Sequence, residues 1–165
     1  MKLPLTGACQ CGEVGYAITA EPITVYACHC HYCQRQTGSA YALSMIVSRA
    51  AIGITRGTPR EWLRPPEQTT SGTPTTCLFC GTCGARLYHL PSRNLEIAVV
   101  KPGTLDDTSW LVPVGHIFTD HAQPWIEIPA TTVNFPRQPP DFTGRILGIT
   151  DLRREHGVAQ SRVGR

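Results

Sequence analysis

The eight cysteines of this 165-residue chain constrain its fold more than any other feature, because they fall into three tight groups. The groups are Cys9 and Cys11; Cys28, Cys30 and Cys33; and Cys77, Cys80 and Cys83. A chain of this length buries roughly 70% of its unfolded surface and does not need crosslinks to stay folded. Neighbouring cysteines separated by one residue form disulfides only with strain. The grouping therefore predicts metal-binding thiolates, with zinc as the first candidate, rather than disulfides.

Composition leads us to expect a cytoplasmic protein that binds neither membrane nor nucleic acid. No apolar run approaches the roughly 20 residues of a membrane span, and "MKLPLTGACQCG" lacks the apolar core of a secretory signal. Residues 1–136 balance their charges, so the net charge of +3 comes from six arginines and three acidic residues in 137–165. The preceding part has no basic patch with interleaved aromatics, which argues against nucleic-acid binding.

The body of the chain predicts a mainly β domain with little helix. In "EVGYAIT", period-two alternation places Val14, Tyr16 and Ile18 on one face of a strand. Further strand-like runs are "AYALSMIV", "AAIGITRG", "REWLRP", "ARLYHL" and "LEIAVV". Fourteen prolines and fifteen glycines indicate many turns. Only "TDLRREHGVA", near the end of the chain, shows a weak helical period.

The domain division follows from a proline-rich segment. Residues 134–142, "NFPRQPPDF", have the composition of a linker. We therefore expect a zinc-binding β domain at 1–133, followed at 134–165 by this linker and a basic, partly disordered tail.

A closed metal site is predicted from the first and last cysteine groups. On an extended chain Cys9 and Cys11 point the same way, and Cys80 and Cys83 bracket a tight turn before Gly84. Four thiolates complete the tetrahedron of a structural zinc. Cys77 precedes Cys80 at the same two-residue gap, so Cys77 with Cys80 is an alternative pair. The turn at Gly84 favours the first pairing and leaves Cys77 as a buried thiol in a strand.

The stretch "CHCHYC" is expected to form one loop that supplies three thiolates, from Cys28, Cys30 and Cys33, and leaves the fourth corner of a zinc site for substrate or water. A fourth protein ligand, from Cys77, His29 or His31, would close the site, and spacing alone does not decide between the two. A zinc ribbon joining the Cys30 and Cys80 pairs is weaker, because 46 residues separate the pairs whereas a ribbon has about 15–20.

Four blocks together resemble the glutathione-dependent formaldehyde-activating enzyme family, also called the CENP-V/GFA domain family. The blocks are "GACQCGEVGY", "CHCHYCQRQTGSAY", "FCGTCGARLY" and "VGHIFTDHAQPWIEI", and they span about residues 5–130. The resemblance implies an Mss-four-like fold, a zinc-held scaffold of short antiparallel sheets. It implies two zinc ions per chain. The structural ion would be held by Cys9, Cys11, Cys80 and Cys83, and a second, with an exchangeable position for catalysis, by Cys28, Cys30 and Cys33.

The resemblance also implies a reaction, the condensation of formaldehyde with glutathione to S-(hydroxymethyl)glutathione, which is a carbon–sulfur lyase reaction in reverse. The partners would be a small thiol and a small aldehyde. Arg35 is a candidate for binding a glutathione carboxylate, with an exposed surface arginine as the alternative. His29 and His31 are candidate proton donors or solvent-facing residues. In the fourth block His116, Asp120, His121 and Trp125 could line the pocket over the second zinc. The alternative is that Trp125 belongs to the core and the polar residues to a loop, so none of them receives a role.

Two other functions fit the same residues. One is a zinc-stabilised module that binds a protein partner and catalyses nothing, since a fold does not determine a function. The other is a carbon–sulfur lyase for a different thiol adduct. An open metal position in "CHCHYC" would favour an enzyme, because a binding module does not need one. The oligomeric state stays open, with a homodimer as one option.

Overall fold

The computed structural model describes residues 1–139 and consists of two β-sheets around a shared core. The basic tail and the weakly helical "TDLRREHGVA" lie outside the described residues. Strands β1 to β11 span, in chain order, Leu5–Ala8, Gly15–Ile18, Thr24–Cys28, Ala42–Ser48, Ile52–Arg56, Arg60–Arg64, Thr75–Phe79, Arg86–Pro91, Ile97–Val100, Gly115–Ile117 and Val133–Phe135. Helix α1 spans His31–Thr37, and four 3-10 turns in the described part cover Arg49–Ala51, Pro66–Gln68, Pro102–Thr104 and Thr119–His121.

The sheets differ in size and in strand direction. The small sheet has the order β1-β2-β5 and is antiparallel. The large sheet has the order β11-β10-β3-β4-β9-β8-β7-β6. Strand β10 pairs in parallel with both β3 and β11, so this sheet is mixed and only its other pairs are antiparallel. Parallel neighbours need a long crossover, and the chain between β3 and β10 contains most of the large sheet.

The mainly β prediction is confirmed, and all six strand-like runs of the sequence form strands. The predicted inward face of β2 is confirmed as well, because Val14, Tyr16 and Ile18 are almost fully buried. They pack against residues of the large sheet such as Met45 and Val100. The buried hydroxyl of Tyr16 is satisfied by the Thr104 hydroxyl, at 2.8 Å.

The opposite face of the large sheet carries a second, smaller apolar cluster. Its buried members are Tyr26, Cys28, Cys30, Ile46, Val99, Ile117 and Phe118. Two of the predicted metal ligands therefore lie on the face that does not contact the small sheet. This separates the candidate chemistry from the main core.

Strand β11 crosses the predicted domain boundary at residue 133. The chain after it also contacts the β domain, since the Phe118 N–H donates to the Arg137 carbonyl and the Asp120 N–H to the Pro136 carbonyl, at 3.4 and 3.3 Å. Residues 134–137 thus pair with the domain, and the division into domain and tail remains a prediction. Within 1–139 no helix has the length and apolarity that a membrane crossing requires.

Candidate metal centres and an adjoining cavity

The sulfur atoms of Cys9, Cys11, Cys80 and Cys83 lie within 4.8 Å of one another. They form the four-cysteine cluster, which two tight turns build. Gly12 N–H donates to the Cys9 carbonyl at 2.9 Å, and Gly84 N–H donates to the Cys80 carbonyl at 3.0 Å. Both glycines adopt left-handed backbone angles, with φ of 77° and 74°, which side chains with a Cβ rarely adopt. A glycine after each cysteine pair is thus a requirement of the turn.

The expected extended conformation of Cys9 and Cys11 is wrong, because these residues form a turn. Their sulfurs still converge, at 3.5 Å, because the turn rather than strand alternation brings them together. Backbone N–H groups also face the sulfurs, as Val14 N–H donates to Cys9 Sγ at 3.2 Å. Donation from the Ala85 backbone N–H, chiefly, lowers the pKa of the Cys83 thiol to about 6. Such donors favour the thiolate that a metal requires.

Cys28, Cys30 and Cys33 form the three-cysteine cluster, with their sulfurs also within 4.8 Å of one another. The expectation that they share a loop is wrong. Cys28 ends β3, Cys30 is the N-cap of α1, and Cys33 lies inside the helix, where its N–H donates to Cys30 Sγ at 3.4 Å. The helix ends at Gly38, whose φ of 63° is left-handed. Two turns of helix are too short to show a sustained period in the sequence.

No fourth histidine, cysteine or acidic residue among positions 1–139 joins the three-cysteine cluster. Each candidate has another environment. Cys77 is fully buried in β7 and donates weakly to the Thr75 carbonyl. His29 Nε2 hydrogen-bonds to His116 Nδ1 at 2.9 Å, and the exposed His31 stacks on His121 at 4.3 Å between ring centroids. The described part of the chain therefore supplies three ligands and no more.

The donor chemistry of both clusters fits zinc, which accepts thiolates readily. In the three-cysteine cluster, donation from the thiols of Cys28 and then Cys33 lowers the pKa of Cys30 to about 3. The hydrogen bond between Cys28 and Cys30 is also the main reason that the pKa of the Cys28 thiol is raised. The sulfurs are thus close enough to stabilise a shared negative charge, and each cluster could hold one metal ion.

A cavity adjoins the three-cysteine cluster, on the face of the large sheet away from the main core. Alternate residues of four strands line it: Tyr26 and Cys28, Ser44 and Ile46, His89 and Pro91, and Ile97 and Val99. Residues 69–71 of the β6–β7 loop line it as well, and Tyr32 of α1 anchors this loop by donating to the Glu67 carbonyl at 2.7 Å. A molecule in this cavity can reach all three cysteines of the cluster, since all three line it.

Lys101 is a buried cation near the three-cysteine cluster. Only 7% of it is exposed, and its Nζ donates to the Ser44 hydroxyl at 3.3 Å. Burial, chiefly, lowers the pKa of Lys101, while negative charge on Cys33 and Cys28 acts in the opposite direction. Lys101 has no carboxylate partner within 1–139, where the ion pair found joins Arg137 to Asp120. Lys101 is thus placed to balance the charge of the cysteines.

Replacing Lys101 by methionine is expected to weaken metal binding at the three-cysteine cluster about tenfold, because a neighbouring positive charge favours three thiolates. The measurement is chelator competition for the more weakly held of two metal ions. The matched control is Lys2→Met, which removes the other lysine of the chain from an exposed position. Equal affinities for the two variants would show that Lys101 does not balance the cluster.

The remaining predicted residues lie away from the cavity. Arg35 is exposed near the end of α1 and does not line it. The core placement of Trp125 is wrong, because 70% of this residue is exposed in a loop. Asp120 pairs with Arg137 at 3.8 Å. His116 is buried in β10, where it hydrogen-bonds to His29.

Sequence reasoning did not identify Arg64, His89 and Lys101 as residues of the site. The sequence gives a signal for two of them. His89 interrupts the apolar run "ARLYHL", and Lys101 directly follows the apolar run "LEIAVV". A titratable group at such a position is uncommon in a buried strand.

Comparisons with known proteins agree with this architecture. The sequence model of the family described as "Glutathione-dependent formaldehyde-activating enzyme" matches residues 4–121. The crystal structure of a Rhodobacter sphaeroides protein aligns with a TM-score of 0.51 and 22% identity, over 66% of this chain and 97% of that one. At this identity the likeness supports the fold. No curated protein matches the chain.

Proposed function

Because this chain belongs to the family of glutathione-dependent formaldehyde-activating enzymes, we propose that it joins a thiol to formaldehyde or a related small aldehyde at the three-cysteine cluster. Glutathione is the proposed thiol, and S-(hydroxymethyl)glutathione the product, so the enzyme is of the carbon–sulfur lyase class. We place it in the cytoplasm. The observation that carries the proposal is that three sulfurs form one wall of a cavity with no fourth protein ligand among the described residues.

The reaction adds a sulfur to a carbonyl carbon. A C–S bond forms, the C=O double bond becomes a single bond, and the proton that the thiol loses is recovered on the oxygen. When bound, zinc at the three-cysteine cluster supplies a position that binds a thiol and lowers its pKa. The protein must then hold the thiol, place the aldehyde beside it and return a proton.

The cavity walls provide these functions. Ile46, Val99 and Phe118 supply apolar surface beside the cluster and keep water from the reacting groups. Burial, chiefly, raises the pKa of Tyr26 well above its usual value, so the Tyr26 hydroxyl stays protonated in this wall. It can donate to an aldehyde oxygen as negative charge develops there. Lys101 offsets the additional negative charge that a bound thiolate brings.

The four-cysteine cluster has a structural role in this proposal. It joins the turn after β1 to the turn after β7, with Cys11 and Cys80 sulfurs 3.7 Å apart although 69 positions separate them in sequence. Four thiolates complete the coordination of zinc and leave no position for a substrate.

Metal analysis combined with thiol titration tests the proposal. We expect two zinc ions per chain, and after cobalt substitution a change in the visible spectrum of one of them when glutathione is added. Formation of the S-hydroxymethyl adduct, followed by NMR, should accelerate in proportion to enzyme concentration. One metal ion per chain, no spectral response and no acceleration would contradict the proposal and favour a non-catalytic binding module.

A further inference from the structure

The cavity has basic residues on its β6 side, and β6 is five strands away from β3, the strand of Cys28, in the order of the large sheet. Arg64 of β6 and Arg93, in the turn before β9, line the cavity, and no aspartate or glutamate is among the described residues that do. His89 of β8 lines it as well. A cavity with basic groups on one side and cysteines on the other is asymmetric, so it can orient a ligand that has an anionic end.

Arg64 has unused hydrogen-bonding capacity. Its guanidinium Nε is buried and has no partner among the described residues. The residue is only partly exposed, on the last position of β6. A buried N–H without a partner costs free energy, and such an orphan at a cavity wall indicates a group that a ligand completes.

His89, which lines the cavity with Arg64, also has a ring nitrogen whose hydrogen-bonding capacity is unused. Its Nδ1 is buried and has no hydrogen-bond partner within 1–139. Burial and then the charges of Lys101, Arg64 and Arg86 lower the pKa of His89 well below its usual value. All three cations therefore disfavour a positive charge on the His89 imidazole. Arg86 faces the rings of Trp62 and Phe79, at 5.7 and 5.8 Å, and the ion pair found within 1–139 joins Arg137 to Asp120 rather than any of these three cations to a carboxylate.

We propose that Arg64, with His89 beside it, binds a carboxylate of the thiol substrate, and so selects acidic thiols over neutral ones. This inference rests on the proposed function for the sulfur end of the substrate. A guanidinium presents parallel N–H donors that match the two oxygens of a carboxylate. A ligand bound in this way places its carboxylate at the β6–β8 wall and its sulfur at the three-cysteine cluster.

Kinetics with matched thiols test the inference. The pair is 3-mercaptopropionate and its uncharged amide, each reacted with formaldehyde. The native enzyme should prefer the carboxylate at least about tenfold in kcat/KM, the range of a hydrogen bond to a charged group. Arg64→Met should abolish this preference by raising KM for the acid while leaving KM for the amide within about twofold. Arg64→Lys, which keeps the charge but loses the fork, should retain part of it.

Two further variants control for charge and location. Arg49→Met removes an exposed arginine outside the cavity and should leave the preference unchanged. Arg35→Met tests the sequence-based candidate. A preference that survives Arg64→Met, or that is lost in Arg35→Met instead, would overturn the assignment. Equal rates of the two thiols with the native enzyme would overturn it as well.

A binding measurement separates this inference from the proposed function. Calorimetric titration with 3-(methylsulfanyl)propionate, which has the carboxylate but no thiol, should show binding that Arg64→Met weakens at least about tenfold. This binding is expected even if the enzyme accelerates the reaction of no thiol. That combination of results would contradict the proposed function but not the carboxylate site. Absence of binding to the native protein, or tighter binding of methyl phosphate, would refute a carboxylate site.

Discussion

Replacing Cys9 by serine is expected to unfold the domain rather than to impair a single catalytic step. Cys9 is 4% exposed, and its sulfur belongs to the four-cysteine cluster. Structural zinc contributes about 10 kcal/mol or more in small domains, which is comparable to the whole stability of a typical domain, about 5–15 kcal/mol. Far-UV circular dichroism, thermal unfolding and zinc content measure the result. We expect loss of the cooperative transition and of at least one metal ion.

The control for this prediction is Cys77→Ala. Cys77 is also fully buried but lies outside both clusters. Its truncation should cost only about 1–2 kcal/mol for the small cavity left behind and should leave the metal content at two ions. A Cys9→Ser protein that unfolds cooperatively at nearly the native temperature would show that the four-cysteine cluster does not hold the fold together.

Cys30→Ser is expected to give the opposite result, a folded protein with at least about a 100-fold loss in kcat/KM. Cys30 accepts the Cys33 N–H as the N-cap of α1, and serine is a preferred N-cap residue. The helix therefore keeps its start, whereas the cluster loses one of three thiolates that hold the metal. Replacing a residue that only contacts a metal ligand already lowers metal affinity or activity about 10–100-fold, so the loss of a ligand itself should cost at least as much. Adduct formation and the unfolding temperature are the two measurements.

Cys30→Ala separates the cap from the ligand. Alanine cannot accept the Cys33 N–H, so this variant should lose about 1 kcal/mol more stability than Cys30→Ser at the same low activity. Equal unfolding of Cys9→Ser and Cys30→Ser would contradict the division into a structural and a catalytic cluster.

The grouping of neighbouring cysteines could be predicted because ligand spacing is a local property, whereas the contact of Cys11 with Cys80, 69 positions away, is made by the fold. Residues within six positions of each other, such as Cys28 and Cys33, stay close in almost any conformation. The turn at Gly84 likewise allowed Cys80 and Cys83 to be paired. The conformations that carry the cysteines were predicted less well. Cys9 and Cys11 form a turn instead of a strand, and a helix instead of a loop begins after Cys30.

The sequence by itself determined the mainly β architecture and the local cysteine groups, because alternation and spacing act over a few residues. Only the tertiary structure decided what faces the three-cysteine cluster. The register of β6, β7 and β8 places Arg64 and His89 on one wall, and the end of β9 places Lys101 nearby. Arg35, close to the cluster in sequence, lies exposed on α1. Pairing between strands far apart in the chain depends on global packing, and no local pattern encodes it.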